Sequence, residues 1–233
     1  MKENQRIKAA LIDMDGVLYD SMPNHATAWM KVMEYAGLTA TRDEFFIYEG
    51  RTGADIIDMM MRRSLGRPAT DEEKTGLYAL KAKYFTELSP VVPMLGAQKL
   101  VAELLGRGIT TVLVTGSGQN SLLNRLETDY PGAFPTERRV TSATVSRGKP
   151  YPDPYLRGLE LAGVKATEAI AIDNAPLGTR SASAAGILTV GVVTGPMPES
   201  ALGENGADIV INSMATCAEM LPRLLSKIEV AGI

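Results

Sequence analysis

Five short apolar runs recur along the chain: Ala9 to Ile12, Thr111 to Val114, Ala169 to Ile172, Leu188 to Val193 and Ile209 to Ile211. Each is too short for a helix. Each is also too continuously apolar for a sheet with one wet face, so buried parallel strands explain the pattern best. Helical spacing fills the gaps. Ala97 to Leu105 puts Leu100, Val101, Leu104 and Leu105 on one face. Pro154 to Ala162 follows Asp153, a good N-cap with proline at the first helical position. Pro176 to Ala185 stops at Gly186, a residue suited to a helix end. The alternation predicts an α/β fold: a Rossmann-like parallel sheet core flanked by helices.

Residues 21–88 break the alternation. Helical stretches run from His25 to Ala36, Ala54 to Ser64 and Asp71 to Leu88, with no convincing strand. The segment directly follows the first strand, which predicts an inserted all-helical cap over the sheet's end. The expected division is a core of residues 1–20 and 89–233 and a cap of 21–88, with Pro90 and Pro93 at the return hinge. Met59, Met60 and Met61 read as cap packing.

Composition narrows the function. The chain has 233 residues, 45% hydrophobic and 22% charged, the balance of a globular protein able to bury a sizeable core. A net charge of -3 leaves no basic surplus for a phosphate backbone, so nucleic acid is not an expected partner. No apolar run approaches the ~20 residues of a membrane helix, and the charged start is unlike a signal peptide. A cytoplasmic monomer with no membrane partner is expected. The one cysteine, Cys217, allows no intrachain disulfide and reads as a structural thiol, with no histidine near it in sequence.

Candidate chemistry gathers where the strands end. Asp13-Met14-Asp15-Gly16 closes the first run. Side chains alternate along a strand, so both aspartates point the same way, and a cation or a raised pKa must relieve their repulsion. Thr115 and Gly116 open a Gly-Ser turn after the second run, with a hydroxyl and backbone N–H groups suited to phosphate oxygens. Lys149, between Gly148 and Pro150, offers a positive charge to a phosphoryl group. Asp173 and Asn174 close the third run and suit an oxygen-only magnesium shell, or a helix N-cap. Gly116-Ser117-Gly118 lacks the third glycine of a dinucleotide fingerprint, no Gly-Lys-Ser/Thr occurs, and no Gly-x-Ser-x-Gly elbow exists.

Residue types, order and placement together resemble the haloacid dehalogenase superfamily, in its β-phosphoglucomutase-like branch. The resemblance covers nearly the whole chain. It implies that Asp13 is a nucleophile forming an aspartyl-phosphate. It further implies that Asp15 is the acid/base and lends its backbone carbonyl to Mg2+, and that Thr115 and Lys149 hold phosphate. The family usually has Glu-Asp where this chain has Asp173-Asn174, so the expected metal set of Asp13, Asp15, Asn174 and Asp173 loses one charge. Retention of Asp15 suggests a phosphatase or mutase rather than an ATPase of the same superfamily.

The cap adds further candidates. Glu49 and Arg51 sit in the glycine-flanked loop Glu49-Gly-Arg-Thr-Gly53. A glutamate facing phosphate is repulsive unless a metal or proton intervenes; the bland alternative is a surface pair with Arg51. Asn174 together with Glu49 resembles a family member that is an inorganic pyrophosphatase. His25, the only histidine, matches a position that contacts the active site in mutases of this branch, or it is exposed or satisfied in the core. Lys81 points either toward substrate or to solvent. The expected function is a Mg2+-dependent phosphohydrolase of a small phosphorylated substrate, with pyrophosphate first. The alternatives are a β-phosphoglucomutase or sugar-phosphate phosphatase, and a non-catalytic phosphate-ligand-binding protein.

Overall fold

The computed structural model describes residues 6–231. Six strands form one sheet: β1 (Ala9–Ile12), β2 (Thr110–Val114), β3 (Arg139–Val140), β4 (Ala169–Asp173), β5 (Leu188–Val192) and β6 (Ile209–Ile211). Their order is β3-β2-β1-β4-β5-β6, and every pairing is parallel. The chain moves outward from β1 in one direction and then from β4 in the other. Such a reversal opens a crevice beyond the carboxyl ends of the two central strands. The register aligns Ile12 with both Leu113 and Ile172, which brings Asp13 level with the end of β4. Its N–H donates to the Ile172 carbonyl at 3.0 Å.

Helices cover both faces, which explains why the strands read as unbroken apolar runs. Ile12 faces one layer with Leu100, Leu104, Cys217 and Leu221. Its neighbour Leu11 faces the other with Val112, Tyr155, Leu159 and Ala182. The first layer is built by α5 (Ala97–Gly106) and α11 (Met214–Ala231), the second by α8 (Asp153–Ala162) and α9 (Pro176–Ala184). Cys217 is buried in packing, as a structural thiol would be.

Between β1 and α5 lie α1 (Met22–Ala36), α2 (Glu44–Ile47), α3 (Gly53–Leu65) and α4 (Asp71–Thr86), with no strand among them. They enclose a separate apolar core. Trp29 stacks on Phe45 at 5.9 Å between ring centroids, and Met60 and Met61 are buried beside them with Met59 packed against the cluster. Thr70 and Glu73 form a reciprocal capping box that starts α4. The outgoing and returning chains run side by side at the hinge: Asp20 N–H donates to Val92, and Met94 N–H donates to Leu18.

Several details differ from the sequence pattern. β3 is two residues long and carries no apolar run; its pairing with Leu113 and Val114 defines it. Asp153 is the first residue of α8 rather than its cap, and its carboxylate binds Arg147 at 2.9 and 3.0 Å. An ion pair with a guanidinium outcompetes a lone N–H here. The short helices α6 (Asn120–Leu123), α7 (Leu126–Asp129) and α10 (Glu199–Glu204) left no periodic signal.

Candidate active site

The sheet's central crevice gathers the acidic residues. Asp13 and Asp15 both line a cavity beneath the cap and are 4% and 7% exposed. Gly16 allows the chain to turn there, with φ at +78°. Lys149 reaches in from the loop before α8 and is itself almost wholly buried. Its Nζ donates to Asp13 Oδ1 at 2.5 Å and to Asp173 Oδ2 at 2.7 Å. Burial pushes the Asp13 carboxyl up; Lys149 opposes this, and the neighbouring charges of Asp173 and Asp15 reinforce it. Burial disfavours the charge on Lys149, but the two carboxylates outweigh it and keep the ammonium protonated.

Asp15 has a different environment. Ser21 Oγ donates to its Oδ1 at 2.6 Å, and His25 Nε2 lies 2.8 Å from the same oxygen. On the far side of the ring, Lys81 Nζ stands 2.6 Å from Nδ1. An ammonium has no acceptor, so Nδ1 accepts and Nε2–H donates to Asp15. Burial and the Lys81 charge push the His25 pKa down, consistent with a neutral ring. Burial would raise the Asp15 carboxyl, but His25, Ser21 and Lys81 together hold it below the usual carboxylate range. Two carboxylates two residues apart are therefore driven in opposite directions, so a positive charge beside Asp13 is what its ionised form requires.

The cap lies directly on this crevice. Glu49 Oε1 accepts from Asn174 Nδ2 at 2.9 Å, joining the loop before α3 to the end of β4. Tyr78 of α4 accepts from the Gly118 N–H at 2.9 Å. The approach depends on glycine: a Cβ on Gly116 would sit 2.4 Å from the Gly50 carbonyl oxygen. The cavity left between cap and core measures about 50 Å³. Its walls include Thr115, Gly116, Glu49, Arg51, His25 and Lys81, so these candidates share one site with Asp13 and Asp15. Arg51 Nε is buried without a hydrogen-bond partner. Lys81 is 2% exposed, so the solvated-surface reading fails; the rings of Trp29, Tyr78 and Phe85 surround it within 6 Å. Burial lowers its pKa to about 8.

Asp173 departs from its expected place in a metal shell. Its Oδ2 accepts from Lys149 and, at 2.6 Å, from Tyr155 Oη; its Oδ1 accepts from the Ala175 N–H at 3.0 Å. With three donors of the chain already on it, the carboxylate serves as an anchor for Lys149. Asn174 shows the opposite: its buried Oδ1 has no partner. An orphaned buried oxygen needs an explanation, and a hard cation supplies one. Among the described residues no group of three His, Cys, Asp or Glu is placed to hold a metal. A cation here would therefore use Asn174 and a backbone carbonyl as well as Asp13. Tyr155, Ser21 and Tyr78 did not stand out in the sequence, because a hydroxyl on an aromatic or hinge residue adds nothing to hydrophobic periodicity.

Comparison with known proteins follows the same lines. Residues 7–186 match the haloacid dehalogenase-like hydrolase family. The chain belongs to that family. Hexitol phosphatase A of Escherichia coli is 31% identical over 90% of this chain and 92% of its own length. Beta-phosphoglucomutase of Bacillus subtilis is 26% identical over 88% and 89%. A solved structure from Bacteroides vulgatus, described as a candidate beta-phosphoglucomutase, superposes with a TM-score of 0.92 at 41% identity, covering 97% of this chain and 91% of that one. These relatives place the chain in the β-phosphoglucomutase-like branch, among phosphatases and phosphomutases. Their names point to phosphorylated carbohydrates, so they favour the sugar-phosphate alternative over pyrophosphate. No helix among the described residues is long and apolar enough to cross a membrane.

Proposed function

We propose that this chain is a magnesium-dependent phosphohydrolase of small phosphorylated carbohydrates, with Asp13 as nucleophile, Asp15 as acid/base, and residues 21–88 as a cap that closes over them. The observation that carries the reading is Lys149 clamped between Asp13 and Asp173, beside a buried Asn174 oxygen that no donor satisfies. Asp13, the backbone of Asp15 and Asn174 would hold the cation. When bound, it offsets the repulsion between a carboxylate and an anionic phosphoryl group.

The chain's own residues do the rest. Lys149 steadies Asp13 and offers its positive charge to the phosphoryl oxygens, which Thr115 and nearby N–H groups orient. Asp13 attacks phosphorus in line, and the bond to the leaving oxygen breaks. Asp15 supplies a proton to that oxygen, then takes one from the water that cleaves the acyl phosphate. The arriving anion raises the Asp15 pKa toward the acid form, while His25 and Lys81 restore the base form afterwards.

Two observations favour pyrophosphate as a second reading. Glu49 is half-buried against Asn174; loss of water raises its pKa most, the Asn174 hydrogen bond opposes this, and the charges of Asp13, Asp173 and Asp15 add to the rise. A carboxylate there is tolerated best when a cation-bearing second phosphate joins it. The cavity's roughly 50 Å³ also lies well below the ~300 Å³ at the small end of ordinary ligand pockets, so a sugar phosphate requires the cap to lift.

Phosphate release should be measured with magnesium on hexose phosphates, pyrophosphate and an aryl phosphate, alongside isomerisation of β-glucose 1-phosphate. Preference for hexose phosphates supports the first reading. Preference for pyrophosphate, with Glu49→Ala hurting it far more than the aryl ester, supports the second. No release from any substrate would sink both.

A further inference from the structure

The first turn of α8 carries a tyrosine with no exposed surface. Tyr155 packs among Leu11, Val112, Val114 and Leu159 of the apolar layer. Its hydroxyl is aimed at the crevice, where Oη donates to Asp173 Oδ2 at 2.6 Å. The same oxygen accepts from Lys149, whose Nζ also lies 5.4 Å from the centre of the Tyr155 ring. The carboxylate has no freedom to move away. The Ala175 N–H holds its other oxygen, and it occupies the space where a side chain on Gly178 would begin, 2.1 Å from either oxygen.

We propose that Tyr155 is a positioning residue for phosphoryl transfer, acting through Asp173 to set how tightly Lys149 is drawn away from Asp13. Asp173 and Asp13 compete for one ammonium, at 2.7 and 2.5 Å. The tyrosine hydroxyl takes up part of the Asp173 charge and so weakens its pull. Without that hydroxyl, Lys149 shifts toward Asp173, and Asp13 and the phosphoryl oxygens receive less of its charge. A phenol suits the task because burial, and then the adjacent carboxylate, keep it a donor across the working pH range. The bland alternative is a buried hydroxyl that merely needs a partner; it predicts loss of stability without a change in turnover.

The inference rests on the phosphohydrolase reading for its rate but not for its geometry, and two measurements separate them. The first is turnover of p-nitrophenyl phosphate with magnesium by Tyr155→Phe, Asp173→Asn and the double variant. Tyr155→Phe should lower kcat about tenfold, the size of one charge-assisted hydrogen bond, with KM little changed. The double variant should be no worse than Asp173→Asn, because both changes act along one path. Wild-type kcat in Tyr155→Phe, or losses that multiply, would overturn the proposal. The second is the 15N-resolved NMR signal of the Lys149 ammonium, assigned by its absence in Lys149→Arg. It should move in both Tyr155→Phe and Asp173→Asn, and an unmoved signal in Asp173→Asn overturns the coupling even should Tyr155→Phe fail to fold. Ammonium shifts in both variants, with a wild type that releases no phosphate, would instead sink the phosphohydrolase reading and leave the Tyr155–Asp173–Lys149 coupling intact.

Discussion

Replacing Gly16 by alanine puts one methyl group where the candidate metal ligand sits. Gly16 has φ of +78°, a conformation that strains any residue with a Cβ by about 1–2 kcal/mol. The new Cβ would also lie 2.1 Å from Asn174 Nδ2 and 3.0 Å from Glu49 Oε1, whereas ordinary contact begins at 3.4 Å. The Asn174 amide must therefore retreat by more than about 1 Å, which breaks its bond to Glu49 and displaces the unpartnered Oδ1. Gly37, which ends α1 with φ of +64° and has nothing within 4 Å of its missing Cβ, is the matched control. Both alanine variants carry the backbone strain, worth a fall of roughly 2–8 °C in melting temperature for a chain of this size. Only Gly16→Ala should raise the magnesium concentration for half-maximal phosphate release, by about 10–100-fold, the usual effect of disturbing a metal ligand. Thermal melts and magnesium titrations of p-nitrophenyl phosphate turnover measure both effects. Wild-type magnesium dependence in Gly16→Ala, or an equal shift in Gly37→Ala, would refute the reasoning.

Other expectations follow from the same geometry. Asp13→Asn should abolish phosphate release while leaving the circular dichroism spectrum and melting intact; release above background would remove Asp13 as nucleophile. Lys81 has its pKa lowered by burial to about 8, so the folded state releases that proton before the unfolded state does. Its burial penalty is present in full below pH 8 and fades between pH 8 and 10.5. Relative to Lys81→Met, the wild type should gain on the order of 3 kcal/mol across that window. Urea denaturation at both pH values checks this, and a constant difference would contradict it. Gly116→Ala should hold the cap away from the core, because its Cβ would collide with the Gly50 carbonyl. A higher KM with faster proteolysis of the cap loop is expected, and unchanged kinetics would count against a closed cap as the working state.

Much of the frame is legible in the sequence. The central strands and the helices α1, α3, α4, α5, α8 and α9 lie within a few residues of their predicted bounds, because a strand buried on both faces must be apolar throughout and a half-buried helix must repeat with its own period; α11, the longest, carries no predicted bounds. Asp13 and Asp15 were legible for a similarly local reason: carboxylates at a strand end, ahead of a glycine, have no packing use. β3 was not, since two residues carry no pattern and the neighbouring strand alone defines them. A surface place for Lys81 stays open in the sequence because helical spacing cannot register that α1 and α4 enclose it with aromatic rings.

The order of elements, the paired carboxylates Asp13 and Asp15 and the presence of a cap are properties of the linear chain, because each depends on residues close together in sequence. The partition of the polar residues is not. Asp173 and Asn174 are neighbours of similar size at the end of one strand, yet one is saturated by Lys149 and Tyr155 and the other is left with a bare oxygen. That difference arises from groups contributed by the loop before α8, by α8 itself and by the cap, up to 125 positions away. Hydrogen bonds and charges act over a few ångströms of space, so only the folded chain decides which carboxylate anchors a lysine and which oxygen remains for a cation.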